Sequence, residues 1–334
     1  MNITTMRSSS YSSWDMCQWK YFLVYCLGIP DKSGAAAEKG TIVHKCLECL
    51  ANIKKTHDNK KKFFEDENLG NLHVSDYLLN NDNIALLVKK TFDYYTNPKK
   101  SINSFSKGDL NDCIKWTNIA LDYGDGMFDP RLRDIIKAEL YFEIPITKEW
   151  AKYKYVLPNE EQKRGSLIIK GTIDLVTKIN NNIIEVIDWK SGLRIDWSNY
   201  KEKDFDRLFN DSQLRFYHYA LSKVFGIDKI FIITIFYLKD GGPFTFTLDE
   251  KNLASTEKMI KERFQAIQKS TSPRRRKNGK SKFCKFCYYG KTKHCESNKS
   301  ICQFHYDEFQ KCGMDSVISK YSPKDFTLGD YVQG

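Results

Sequence analysis

The sequence lacks any apolar run long enough to cross a bilayer as a helix, and its first residues, MNITTMRSSS, lack the apolar core of a secretory leader. Those absences set the expectation of a cytoplasmic protein with no membrane partner. No G-x-x-x-x-G-K-[ST] loop occurs, so the chain has no nucleotide-driven motor of that design. There is no internal repeat. Acid is in short supply: 42 Asp and Glu face 53 Lys and Arg, for a net charge of +11. A basic balance favours an anionic partner such as nucleic acid and says nothing about fold.

What is present supports a large folded unit. Of the 334 residues, 41% are hydrophobic, enough for a sizeable core in one large domain or two smaller ones. Ten cysteines in a cytoplasmic chain are a poor disulfide framework. They read instead as core residues and metal ligands.

Four regions follow along the chain. Residues 1–53 contain serines and aromatics, then YFLVYCLGI as one helix. A second helix follows over 38–53, with Ile42, Val43, Cys46, Leu47, Cys49 and Leu50 as its apolar stripe. Residues 54–135 are polar, rich in Lys and Asn, and mostly helical in pattern, an insertion or cap. Residues 136–270 alternate strand-like and helical segments and form an α/β core. Residues 271–334 hold a basic loop, a cysteine-rich segment and a tail.

GTIDLVTKINNNIIEVIDWK is the most informative stretch. Two strand patterns flank Asn180, Asn181 and Asn182, a good turn for a short hairpin. Symmetry about Asn181 places Asp174 opposite Asp188, a pairing of like charges that is destabilising by itself. A divalent cation between the two carboxylates resolves it, and Mg²⁺ prefers such oxygen ligands. Lys190 shares a strand face with Asp188 and so lies beside that site. The plain alternative is a pair of solvent-facing or capping acids. Asp174, Asp188 and Lys190 are all set among apolar residues, which favours the site.

GTID followed by VIDWKSG resembles the G-x-x-D and D-x-K-T/S-G motifs of the PD-(D/E)XK nuclease superfamily, RecB-like branch. Two further marks of that branch are present in order. GTIVH supplies Gly40 and His44 on an upstream helix, and QLRFY supplies Gln213 and Tyr217 on the helix after the hairpin. The resemblance covers residues 40–217. It implies a restriction-endonuclease-like α/β fold, a mixed central sheet flanked by helices, here with a helical insertion and a cysteine-rich C-terminal segment. It implies that His44, Asp174 and Asp188 ligate Mg²⁺ or Mn²⁺, that Lys190 is catalytic with Asp174 and Asp188, and that Gln213 and Tyr217 support the site and the DNA. Glu139 sits where such proteins often carry an acid on a preceding strand, its alternative being an ordinary edge-strand acid. The implied activity is DNA phosphodiester hydrolysis, probed first as single-strand or end-directed exonuclease activity. The rival is a non-catalytic DNA-binding scaffold on the same fold. Any unwinding comes from a helicase, recombination or CRISPR partner.

FCKFCYYGKTKHC spaces Cys284, Cys287 and Cys295 as a metal knuckle in a polar loop. Cys46 and Cys49 read as core. The fourth ligand is either Cys302, which completes a local zinc site, or Cys17. The segment SSSYSSWDMCQWKYFLVYCLGI resembles the N-terminal element of iron–sulfur RecB-like nucleases, such as AddB-type helicase-nucleases and CRISPR-associated RecB-like exonucleases. That likeness implies a [4Fe–4S] cluster on Cys17, Cys284, Cys287 and Cys295, with Zn²⁺ as the alternative. Gln18 replaces the proline common there, and the last gap is longer than usual. The basic loop with Arg274, Arg275, Arg276 and Lys277 reads as a phosphate-neutralising patch or as a solvated loop. Trp14, Trp19, Tyr21 and Trp197 are aromatic candidates for base stacking, though most aromatics belong to the core.

Overall fold

The computed structural model describes residues 1–78, 80–156, 160, 162–196, 199–239 and 242–322. Trp197 lies outside them. A mixed six-stranded sheet runs through the centre: β1 (Thr5–Met6), β2 (Ile135–Pro145), β3 (Ile168–Lys178), β4 (Ile183–Lys190), β5 (Ile230–Tyr237) and β6 (Gly242–Leu248). The helices that bear on the sites are α1 (Ser8–Met16), α2 (Ala35–Asp58), α3 (Ser212–Phe225), α4 (Glu250–Lys269) and α5 (Ile301–Tyr321); Ile84–Tyr95 and Lys107–Asp122 are further helices of the 54–135 region. The strands lie in the order β2, β3, β4, β5, β6, with β1 parallel to the start of β3. The β4–β5 pair and the short β1–β3 pair are parallel, and the others are antiparallel. The β4–β5 crossover contains α3.

The expected hairpin forms in the expected register, with Leu175 opposite Ile187 and Val176 opposite Val186. Its turn is local chemistry. The Asn180 side-chain oxygen accepts the N–H groups of Asn182 and Ile183 at 2.8 and 3.0 Å. Both faces of β4 are covered, which explains its near-continuous apolar run. Ile184 and Val186 join a core with Phe216, Leu221, Phe231 and Phe264. Ile187 and Trp189 join a second core with Ile42, Leu47, Leu50, Trp116 and Phe128. The 54–135 region therefore forms the outer layer over one sheet face. Cys46 and Cys49 are buried in that layer.

Several expectations are corrected. The 54–135 region is not all helix: Phe63–Asp66 and Gly70–His73 pair as a hairpin. Asp66 closes its turn by accepting the N–H groups of Asn68 and Leu69 at 2.9 Å each. A further hairpin, Lys152–Val156 with Gln162–Ser166, precedes β3. The N-terminal apolar run is helix Gln18–Tyr21 followed by a π-turn, Phe22–Cys26. Within the tail, Ile301–Tyr321 form α5, which packs on that segment, with Trp19 5.0 Å from Tyr306 and 5.3 Å from Phe309 between ring centres. Trp14, Trp19 and Tyr21 are buried core residues, not exposed platforms.

Candidate active site and metal centres

β2, β3 and β4 place three acids on one transverse row. The β2–β3 ladder pairs Ala138 with Leu175 and Leu140 with Ile173, so Glu139 stands opposite Asp174. The β3–β4 register places Asp188 on the other side of Asp174, just past the last paired residues, Leu175 and Ile187. Both strands swap faces at this row. Leu140, Phe142 and Ile173 belong to the α3-side core, whereas Ala138 and Leu175 belong to the α2-side core. Glu139 makes the swap with a left-handed backbone, φ +48°. That conformation is costly for a non-glycine residue, by about 1–3 kcal/mol, and such strain collects at functional sites.

The hairpin opens where the row is formed. The Trp189 N–H donates to the Asp174 carboxylate at 2.9 Å instead of to a strand carbonyl. His44 reaches the same carboxylate oxygen from α2, with Nδ1 at 3.3 Å. Gly40, one turn earlier, permits this approach: a Cβ there would lie 2.4 Å from the Ser191 hydroxyl at the end of the lysine-bearing strand. His44, Glu139 and Asp174 offer one ligand atom each within 4.8 Å of one another. They line an open cleft of about 670 Å³ together with Glu48, Glu67, Asn68 and Tyr95.

Asp188 is held differently. It is fully buried, and its Oδ1 lies 3.0 Å from both Gln213 Nε2 and the Tyr217 hydroxyl of α3. Tyr217 is itself fixed by the Thr172 carbonyl at 2.9 Å. Asp188 Oδ2 accepts no hydrogen bond of good geometry and meets the Lys190 ammonium at 2.5 Å. The structure thus brings together His44, Asp174 and Glu139 as a compact set that could hold a metal ion. Asp188 faces α3 and the lysine, outside that set. Glu139, expected as an acid on the preceding strand, lines the cleft.

The electrostatics follow from burial and crowding. Burial, then the Asp174 charge, pushes the Glu139 carboxyl up to about 7. Burial and Asp174 also raise Asp188, against the pull of Lys190. Burial works to raise Asp174, but His44, Lys190 and the Trp189 N–H outweigh it, and the net direction is down. Lys190 is opposed by burial yet raised overall by Asp188 and Asp174, so it is protonated at neutral pH. Two carboxylates and an imidazole in one crowded cleft suit a divalent cation.

The cysteines gather at the other end of the α3-side core. Cys17 breaks the N-terminal helices with extended backbone, φ −166°. Its sulfur accepts the Lys20 N–H at 3.4 Å. A cavity of about 170 Å³ is lined by Cys17, Cys284, Cys287 and Cys302, with Lys20, Arg275 and Gly290. Cys295 is exposed and does not line it. The fourth cysteine at the cavity is therefore Cys302, presented by the first turn of α5. Burial, with Cys17, Cys287 and Cys284 nearby, pushes its thiol up to about 12. Gly290 is required here, because a Cβ would lie 2.1 Å from the Cys284 carbonyl oxygen.

The arginine cluster is not a uniform surface patch. Arg275 lies over the Tyr306 ring at 4.6 Å, donates to Gln303 at 2.9 Å and has its Nε buried at the cysteine cavity. Arg276 lies over Phe283 and Tyr200 at 5.3 and 5.6 Å. Arg274 and Lys277 are exposed.

A mixed sheet with acids at an opened hairpin, a helix-borne histidine and a lysine beside the last acid defines a metal-dependent nuclease. Residues 8–292 match the PD-(D/E)XK nuclease superfamily, and the chain belongs to it. Membership implies hydrolysis of phosphodiester bonds with divalent metal. A search of curated proteins returned no match. Among the described residues, no helix is long and apolar enough to cross a membrane.

Proposed function

We propose that the chain is a deoxyribonuclease of the RecB-like type, using Mg²⁺ or Mn²⁺ and acting as an exonuclease on single-stranded DNA or DNA ends. The row of Glu139, Asp174 and Asp188, with His44 at its centre, is the observation that carries this reading. His44, Glu139 and Asp174 would hold the cation, with Asp188 at the edge of the set. A cation bound there supplies Lewis-acid polarisation of the scissile phosphodiester.

The remaining chemistry belongs to the chain. The protonated Lys190 offers a fixed positive charge to the phosphoryl oxygens as negative charge builds on them. It is not a proton acceptor in that state. Gln213 and Tyr217 position Asp188, which in turn positions Lys190 at 2.5 Å. The buried walls of the cleft keep these interactions strong.

The four thiols at the cavity suit a [4Fe–4S] cluster on Cys17, Cys284, Cys287 and Cys302. The cluster would fasten the two chain ends across the core, and Zn²⁺ on the same four thiols is the alternative. The chain has no nucleotide motor motif, so duplex unwinding would fall to a helicase or recombination partner in the cytoplasm.

The test uses end-labelled single-stranded and duplex DNA with Mg²⁺ or Mn²⁺. Wild type should shorten the single strand, and Asp188→Ala should lose at least about a hundredfold in rate, the scale of one catalytic group. Wild type that binds DNA but cuts no substrate would end the enzyme reading and favour a scaffold.

A further inference from the structure

We propose that the outer face of the cysteine-bearing segment is a docking surface for single-stranded DNA, with Phe286 as a stacking platform and Lys282, Lys285 and Lys291 as phosphate contacts. This rests on the reading of the chain as a DNA nuclease and names where the substrate strand is received.

Charge is the first observation. No Asp or Glu occurs between Glu262 and Glu296, while eleven Lys and Arg do. Two of the arginines are committed to structure: Arg275 to Tyr306 and Gln303, and Arg276 to Phe283 and Tyr200. The lysines are not. Lys277, Lys280, Lys282, Lys285, Lys291 and Lys293 are exposed, and none forms an ion pair among the described residues.

Phe286 is the second observation. At 75% exposure it is the most exposed large apolar side chain among the described residues. Its position is enforced. The Lys282–Phe286 helix is capped by Ser281, and the chain then doubles back so tightly that Gly290 touches the Cys284 carbonyl. The flanking Cys284 and Cys287 line the cavity beneath it, so Phe286 points away from the core while its neighbours point inward. A rigid exposed ring among unpaired lysines suits unstacked bases and a phosphate backbone. Duplex DNA would satisfy the lysines but leave the ring unused, because its bases are already stacked.

The third observation is a contact with the segment that follows β4: Arg276 lies 5.6 Å from the ring of Tyr200, ten residues after Lys190 in the chain.

The test is fluorescence anisotropy with an oligothymidine of about 20 nucleotides, in EDTA, across a salt series. Phe286→Ala should bind about tenfold more weakly, within the range of one lost base–aromatic stack. The triple variant Lys282→Ala, Lys285→Ala, Lys291→Ala should reduce the salt slope by about 2, at roughly 0.7 per phosphate contact on single strands. Both variants should keep the wild-type melting temperature and the wild-type rate on a small chromogenic phosphodiester. Wild type that cuts DNA, with variants of unchanged affinity and slope, overturns the docking surface and leaves the nuclease reading intact. Wild type that neither binds nor cuts DNA overturns both. A lysine effect without a Phe286 effect overturns single-strand stacking and points to an acidic or duplex partner.

Discussion

Replacing Asp174 by Asn should uncouple the protein's stability from divalent metal without disturbing the fold. The amide oxygen can still accept the Trp189 N–H that the carboxylate takes at 2.9 Å, so the hairpin opening survives. What disappears is the central charge of a ligand set whose members lie within 4.8 Å of one another. A cation at a hundred times its Kd stabilises the wild type by about 2.7 kcal/mol if it binds only the folded state. For a chain of this size that is a rise of roughly 5 °C in Tm. Differential scanning fluorimetry with Mn²⁺, against an EDTA control, should show that rise in wild type and less than about 1 °C in Asp174→Asn. Asp58→Asn removes a surface acid paired with Lys54 and should keep the full response. Equal Mn²⁺ shifts in wild type, Asp174→Asn and Asp58→Asn would refute the location of the site.

Three further outcomes are expected. Protein purified anaerobically should lose iron in Cys302→Ser and retain it in Cys295→Ser, because only Cys302 lines the cavity with Cys17, Cys284 and Cys287; the reverse pattern in metal analysis would contradict that assignment. Gly40→Ala should cut activity more than stability, since its Cβ at 2.4 Å from the Ser191 hydroxyl pushes the His44 helix from the Lys190 strand; an unchanged cleavage rate would count against the close approach. His218 is buried with both ring nitrogens unpartnered, and burial, then Arg215, lowers its pKa to about 4. The unfolded chain takes up that proton near pH 6.5 and the folded chain near 4, so stability is lost as pH falls through that window, by up to about 3 kcal/mol. Urea titrations should show this slope and its flattening in His218→Phe.

Much of the catalytic row was legible because local chemistry sets it. The Asn180–Asn182 turn fixes the β3–β4 register, and the register alone puts Asp174 across from Asp188. The spacings from Gly40 to His44 and from Gln213 to Tyr217 are single helical turns, which sequence shows directly. Glu139 was harder. Its membership depends on the β2–β3 alignment and on a left-handed residue that swaps the faces of both strands, and neither leaves a mark in alternating hydrophobicity. Glu48 also lines the cleft, and its spacing of four from His44 was the available signal. Cys295 looked like a ligand because chain spacing was the only guide. Cys302 reaches the cavity on α5, a helix whose apolar pattern is interrupted and whose packing on Trp19 is long-range. Arg275 looked like a phosphate arm for the same reason. Its burial depends on Tyr306 and Gln303, contributed by the same distant helix.

Single-turnover cleavage of prebound single-stranded DNA by wild type and Lys190→Ala, with binding measured separately in EDTA, tests the central claim most directly. The ammonium lies 2.5 Å from Asp188 and is raised in pKa by its acid neighbours. The account predicts unchanged binding and a cleavage rate lower by about a hundredfold or more. A Lys190→Ala enzyme that cuts at the wild-type rate would contradict it.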